Sequence, residues 1–84
     1  MTNKEILKKQ IIYRSMHRGT REMDLLLGNF VKKNIDKFDV NELGDLNKLL
    51  FIEDELLYKW YFENNLNYPI PNTKVSAMLK KFKI

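Results

Sequence analysis

Five apolar residues, Met23, Leu26, Leu27, Phe30 and Val31, stand at i, i+3, i+4, i+7 and i+8. That spacing gathers them on one face of an α-helix and would scatter them over both faces of a strand. The same rhythm returns in Leu43, Leu46, Leu49 and Leu50, and again in Val75, Met78, Leu79 and Phe82. Only three glycines and two prolines interrupt 84 residues, and no long alternating run is present. The chain therefore reads as all-α. The expected architecture is a single helical domain over residues 1–84: a bundle of five helices, or four if the third and fourth run on.

The first helix is expected from about Asn3 to Met16, with Thr2 or Asn3 as its N-cap. Its apolar residues, Ile6, Leu7, Ile11, Ile12, Tyr13 and Met16, do not share one stripe. Such a helix touches the bundle on two sides or leaves apolar surface for a partner. In the second helix Gly19 fits the N-cap, which puts Glu22 at N3, where a carboxylate can bond back to the cap. Gly28 lies inside that helix at a cost of ~1 kcal/mol relative to alanine, and close approach of another helix is the usual reason. Asn41 can cap the third helix and Asp54 the fourth, which carries Leu57, Trp60 and Tyr61. The stretch Asn64 to Asn72, with Pro69 and Pro71, is a stop signal. A last helix follows Asn72 or Thr73.

Length and composition exclude much of enzymology. A Rossmann domain or a barrel needs far more chain. There is no cysteine and one histidine, His17, so disulfides, thiolate chemistry and a standard structural zinc site are excluded, and no metal is expected. No apolar run approaches the ~20 residues of a membrane span. The N-terminal residues resemble neither a signal peptide nor a transit peptide, and the chain is read as complete, cytoplasmic and bacterial. The net charge is +4 and the pI near 9.4, which suggests nucleic acid. Its distribution weakens that reading. Residues 1–21 carry +5 and residues 64–84 carry +4, while 22–42 and 43–63 carry −2 and −3. Most of the cations are lysines, a bias that an AT-rich genome also produces. A small basic helical nucleic-acid-binding domain is therefore kept as the alternative function.

The densest stretch is His17-Arg18-Gly19-Thr20-Arg21-Glu22-Met23-Asp24. All three arginines, Arg14, Arg18 and Arg21, fall within eight residues. Arginine suits interface ion pairs and bidentate contacts better than lysine does, so this clustering is informative in a lysine-rich chain. Its bland reading is a turn between helices with solvated arginines. His17 has the intrinsic pKa of a general base, but no nucleophile or metal set stands near it, and a surface or interface role suits it better. Glu53, Asp54 and Glu55 read as a cap plus a solvated acidic face. Tyr58, Trp60 and Tyr61 read as core and rim, and Lys80-Lys81-Phe82-Lys83 as a basic helix end.

Arg18-Gly19-Thr20-Arg21-Glu22 fits the Arg-Gly-x-x-Glu motif, and Met23-Asp24 continues it. Further on come an acidic pair, Glu53-Asp54, then Leu57, Tyr58 and Trp60. In this order, and over roughly residues 5–80, the chain resembles the FAD assembly factors of succinate dehydrogenase, the SdhE and succinate dehydrogenase assembly factor 2 family. It departs from the family in having Glu55 where a proline often follows the acidic pair. It also lacks a glycine after the tryptophan helix, where Asn64 or Asn65 must serve. The resemblance implies a five-helix protein that is not an enzyme and that stably binds no cofactor of its own. It implies a protein that binds the flavoprotein subunit of succinate dehydrogenase, and in some bacteria of fumarate reductase; a monomer is expected, though the sequence does not fix the oligomeric state. It further implies that the protein promotes covalent attachment of FAD to that partner. Arg18, Gly19 and Glu22 are then the expected working surface, with His17, Arg21 and Asp24 beside them and Arg14 further out. In that role Gly19 would admit a partner backbone, Arg18 would grip a partner carboxylate or carbonyls, and Glu22 would orient Arg18 or accept a partner hydrogen bond.

Overall fold

The computed structural model describes residues 2–64 and 70–83. They form five α-helices: α1 (Asn3–Ser15), α2 (Arg21–Asn34), α3 (Val40–Leu50), α4 (Asp54–Phe62) and α5 (Lys74–Lys81), with a 3-10 turn at Ile35–Lys37. No strand occurs among the described residues. The third and fourth helices are thus separate, broken at Phe51–Glu53. Of the expected stop signal, residues 65–69, including Asn65 and Pro69, lie outside the described residues. Asn64 does adopt the left-handed conformation, at φ 52°, as the departure from the family's glycine requires.

The apolar stripes become the core. Met23, Leu26, Leu27, Phe30 and Val31 are all buried, as are Leu43, Leu46, Leu49 and Leu50. Val75 and Leu79 join them, while Met78 and Phe82 pack at the edge. Helix α1 contributes one buried apolar residue, Ile11, and leaves Ile6, Ile12, Tyr13 and Met16 exposed. Its lack of a clean stripe is therefore real: α1 packs on α2 and on α3, with Leu7 half-buried at the edge of the core. Helix α5 is fastened to the end of α4, where the Lys80 ammonium donates to the Trp60 carbonyl and lies 5.0 Å from the centre of the Trp60 ring.

Capping corrects three expectations. Thr20, not Gly19, caps α2, its hydroxyl accepting from Met23 N at 3.2 Å. Glu22 therefore sits at N2, where it makes no bond back to the cap. Asp39, not Asn41, caps α3 and forms a full capping box with Glu42. Glu53 stands at the cap of α4 without a side-chain bond, and Asp54 is the first helical residue. Thr2 caps α1 and Thr73 caps α5, as the sequence indicates.

Gly28 also departs from expectation. A Cβ built there would find only the Ser15 carbonyl oxygen, at 4.0 Å, which is ordinary contact. No helix demands a glycine at this place. Gly28→Ala should therefore raise stability by about 0.5–1 kcal/mol, by restricting the unfolded chain at a position already helical. In urea unfolding the midpoint should rise with an unchanged slope.

Candidate functional site

The turn between α1 and α2, residues 16–20, is built around the Arg18 side chain. A helix ends with carbonyls that have no intrahelical partner, and these need donors wherever they are buried. In α1 the Ile12 carbonyl accepts from the Ser15 hydroxyl at 2.7 Å and the Tyr13 carbonyl from Met16 N at 3.2 Å. The Arg14 carbonyl accepts from Arg18 Nη1 at 2.9 Å. In α3 the Lys48 and Leu49 carbonyls take Phe51 N and Ile52 N. The Leu50 carbonyl accepts from the same Arg18 Nη1 at 2.9 Å. Arg18 Nη2 then reaches the Ile52 carbonyl at 3.2 Å. One guanidinium thus closes the C-terminal ends of two helices, where a cation is also favoured by the helix dipole.

Its charge is balanced by Asp54. One carboxylate oxygen lies 2.7 Å from Arg18 Nε and 2.6 Å from Nη2. The other accepts from the Gly19 backbone N–H. The side chains of this pair are 11% and 21% exposed, so both charges are largely withdrawn from water. A second carboxylate, Asp24 in the first turn of α2, accepts from the Arg18 backbone N–H at 2.7 Å. Asp54, expected as a cap with solvated neighbours, is instead an inner residue of the site. Sequence reasoning missed it because its partners lie 35 and 36 positions away, and the one available signal was its place in the acidic pair.

The residues singled out in the sequence divide in two. Arg14, Arg18 and Asp24 face inward. Arg14 donates to Asn47 Oδ1 at 2.8 Å and lies 4.4 Å from the centre of the Phe51 ring. Every guanidinium nitrogen of Arg18 has a partner within the chain. Asp54, rather than Glu22, orients it. His17, Gly19, Arg21 and Glu22 are exposed, and among the described residues no hydrogen bond or ion pair engages the side chains of His17, Arg21 or Glu22. Phe51, which sequence reasoning did not single out, is 66% exposed beside Arg14.

Gly19 is not needed for a left-handed turn, since no glycine has positive φ. It is needed for room: a Cβ there would come within 3.0 Å of the Asp54 carboxylate oxygen. The left-handed residue is His17, at φ 57°.

A cleft of about 310 Å³ opens beside Gly19 and Thr20, with Asp54, Glu55, Tyr58 and Glu63 on its wall. Lys59 also lines it and pairs with Glu55 at 3.2 Å, while Asp54 is committed to Arg18 and the Gly19 N–H, so two of the three carboxylates are engaged within the chain. Among the described residues no group of three metal-ligating side chains could hold a metal. No described helix is long and apolar enough to cross a membrane.

The helical bundle thus holds the turn from inside through Arg18, Asp24 and Asp54 and leaves His17, Arg21 and Glu22 on its exposed side. Residues 9–83 match the family described as flavinator of succinate dehydrogenase, and the chain belongs to it. It is 35% identical over 74 residues to the FAD assembly factor SdhE of Acetobacter pasteurianus, covering 88% of this chain and 65% of that protein. It is 39% identical to succinate dehydrogenase assembly factor 2, mitochondrial, of Scheffersomyces stipitis, covering 90% and 52%. The protein of the same name from Arabidopsis thaliana is 39% identical, covering 73% and 32%. The chain thus spans between one third and two thirds of the length of these relatives. The family does not favour the nucleic-acid alternative.

The left-handed His17 gives a test of the turn. An L-residue in that conformation carries strain that glycine does not, and no hydrogen bond or ion pair among the described residues engages the imidazole to offset it. His17→Gly should raise stability by about 0.5–1 kcal/mol, read as a higher urea midpoint with unchanged helical circular dichroism.

Proposed function

We propose that this protein is an assembly factor that binds the flavoprotein subunit of succinate dehydrogenase and promotes covalent attachment of FAD to it, without being an enzyme itself. The reading rests on family membership across residues 9–83. The observation that carries it to a site is that the turn is braced from inside while Glu22, Arg21 and His17 are exposed, with no side-chain hydrogen bond or ion pair among the described residues.

A binding protein changes its client only by holding one client conformation more tightly than another. A preference of about 1.4 kcal/mol shifts that equilibrium tenfold. The client conformation favoured here is the one competent for flavinylation. FAD belongs to the client. The factor acts as a cytoplasmic monomer, for which no membrane span is required.

Glu22 is the side chain to test, because it is exposed and no hydrogen bond or ion pair among the described residues engages it. Glu22→Ala should leave helical circular dichroism unchanged and lower the urea midpoint only slightly, through the lost carboxylate in the first turn of α2. Covalent FAD on the client, read by in-gel flavin fluorescence after denaturation, should fall at least tenfold at sub-saturating factor. Normal flavinylation by Glu22→Ala together with Arg21→Ala would remove this surface from the proposal. Gly19→Arg is a poorer probe, since its side chain displaces Asp54 and changes the turn itself.

A further inference from the structure

Arg18 and Asp54 form one device with two outputs. One oxygen of the Asp54 carboxylate holds the Arg18 guanidinium at Nε and Nη2, and the other holds the Gly19 N–H. The guanidinium in turn grips the carbonyls of Arg14, Leu50 and Ile52. Its donors are occupied in the free protein, and its side chain is 11% exposed. To contact a client, Arg18 would first have to abandon two helix ends and a carboxylate, leaving buried polar groups unpaired.

We infer that Asp54 is a positioning residue of the client-binding turn, and that Arg18 acts through the same frame without touching the client. This rests on the assembly-factor reading above. The frame joins the start of α4 to the start of α2 and so fixes how Arg21 and Glu22 are presented. Two consequences distinguish it from a direct Arg18 contact. Loss of Arg18 and loss of Asp54 become the same lesion, so the double variant does no more harm than either single one. A loosened turn also presents the binding surface for only part of the time. That raises the factor concentration needed without changing the outcome at saturation.

The test uses Asp54→Asn, which keeps an acceptor for Arg18 but turns an amide group towards the Gly19 N–H. Arg18→Lys is the second variant, and the double variant completes the cycle. Amide NMR of the free factor reads the frame without any client. In Asp54→Asn the Gly19 amide should shift upfield and lose exchange protection, while Leu26, Leu27 and Leu46 stay protected. Titration of factor against the client flavoprotein and FAD should show half-maximal covalent flavinylation at about tenfold higher factor for each single variant. The double variant should match them, with the plateau unchanged. An unmoved Gly19 amide overturns the frame. A lowered plateau for Arg18→Lys alone, with Asp54→Asn behaving as wild type, overturns it in favour of direct contact by Arg18. Failure of the wild-type factor to raise covalent FAD overturns the assembly-factor reading and the client role of Asp54 with it. That failure is told apart because the Gly19 amide result does not involve the client.

Discussion

The structure depends on what happens to the last carbonyls of α1 and α3. Both helices end against other parts of the chain, so these groups cannot all turn to water, and a buried carbonyl without a donor is costly. Arg18 supplies donors to both ends and to the connection that follows α3. A lysine could not: it carries a single nitrogen, whereas the guanidinium spreads its donors over a rigid plane. Once placed there the cation requires an anion, because charge removed from water without a partner is strongly unfavourable. Asp54 is that anion. The break between α3 and α4 brings it there: Phe51–Glu53 turns the chain so that the first residue of α4 faces the turn after α1.

This arrangement explains why so small a protein can hold an irregular turn firmly. The core, from Ile11 to Leu79, is assembled by non-directional burial of stripes on α2, α3 and α5, with Ile11 from α1 and Leu57 and Trp60 from α4. Such burial fixes which faces meet but says little about the course of residues 16–20, which contribute nothing to the core. The hydrogen bonds of Arg18, Asp24 and Asp54 add the missing direction. Charge-assisted bonds of this kind are short and geometrically selective, and they impose one conformation even at the expense of a left-handed His17.

Periodicity made the core legible, since each stripe is a property of one segment and was read correctly for α2, α3 and α5. Caps were less legible. Gly19 and Thr20, Asn41 and Asp39, and Asp54 and Glu53 are neighbouring residues that local rules barely separate. In α3 the choice follows from a capping box, a local signal available in Asp39 and Glu42. In α2 and α4 it does not. Asp54 is drawn away from capping by Arg18 and Gly19, and those contacts span more than thirty residues. A single sequence holds no trace of such a pairing beyond the residue types themselves. The three clustered arginines were informative, but their roles were not: Arg14 and Arg18 proved internal and Arg21 external.

Gly19 shows how the same residue changes meaning when its surroundings are known. Read alone, a glycine in an exposed turn suggests unusual backbone angles or room for a visitor. Here its φ is not positive, and the space beside it is already taken by the Asp54 carboxylate of its own chain. The missing side chain lets that carboxylate reach the Gly19 N–H while still holding Arg18. Arg18 therefore belongs to the inner side of the motif, and Gly19, though exposed, joins it through its N–H, with Asp54 as the unwritten third member. Arg21 and Glu22, one helical position apart at the positive end of α2, form the outer side. A short motif that looks like one contact surface is thus two layers, one that shapes the turn and one that the turn displays.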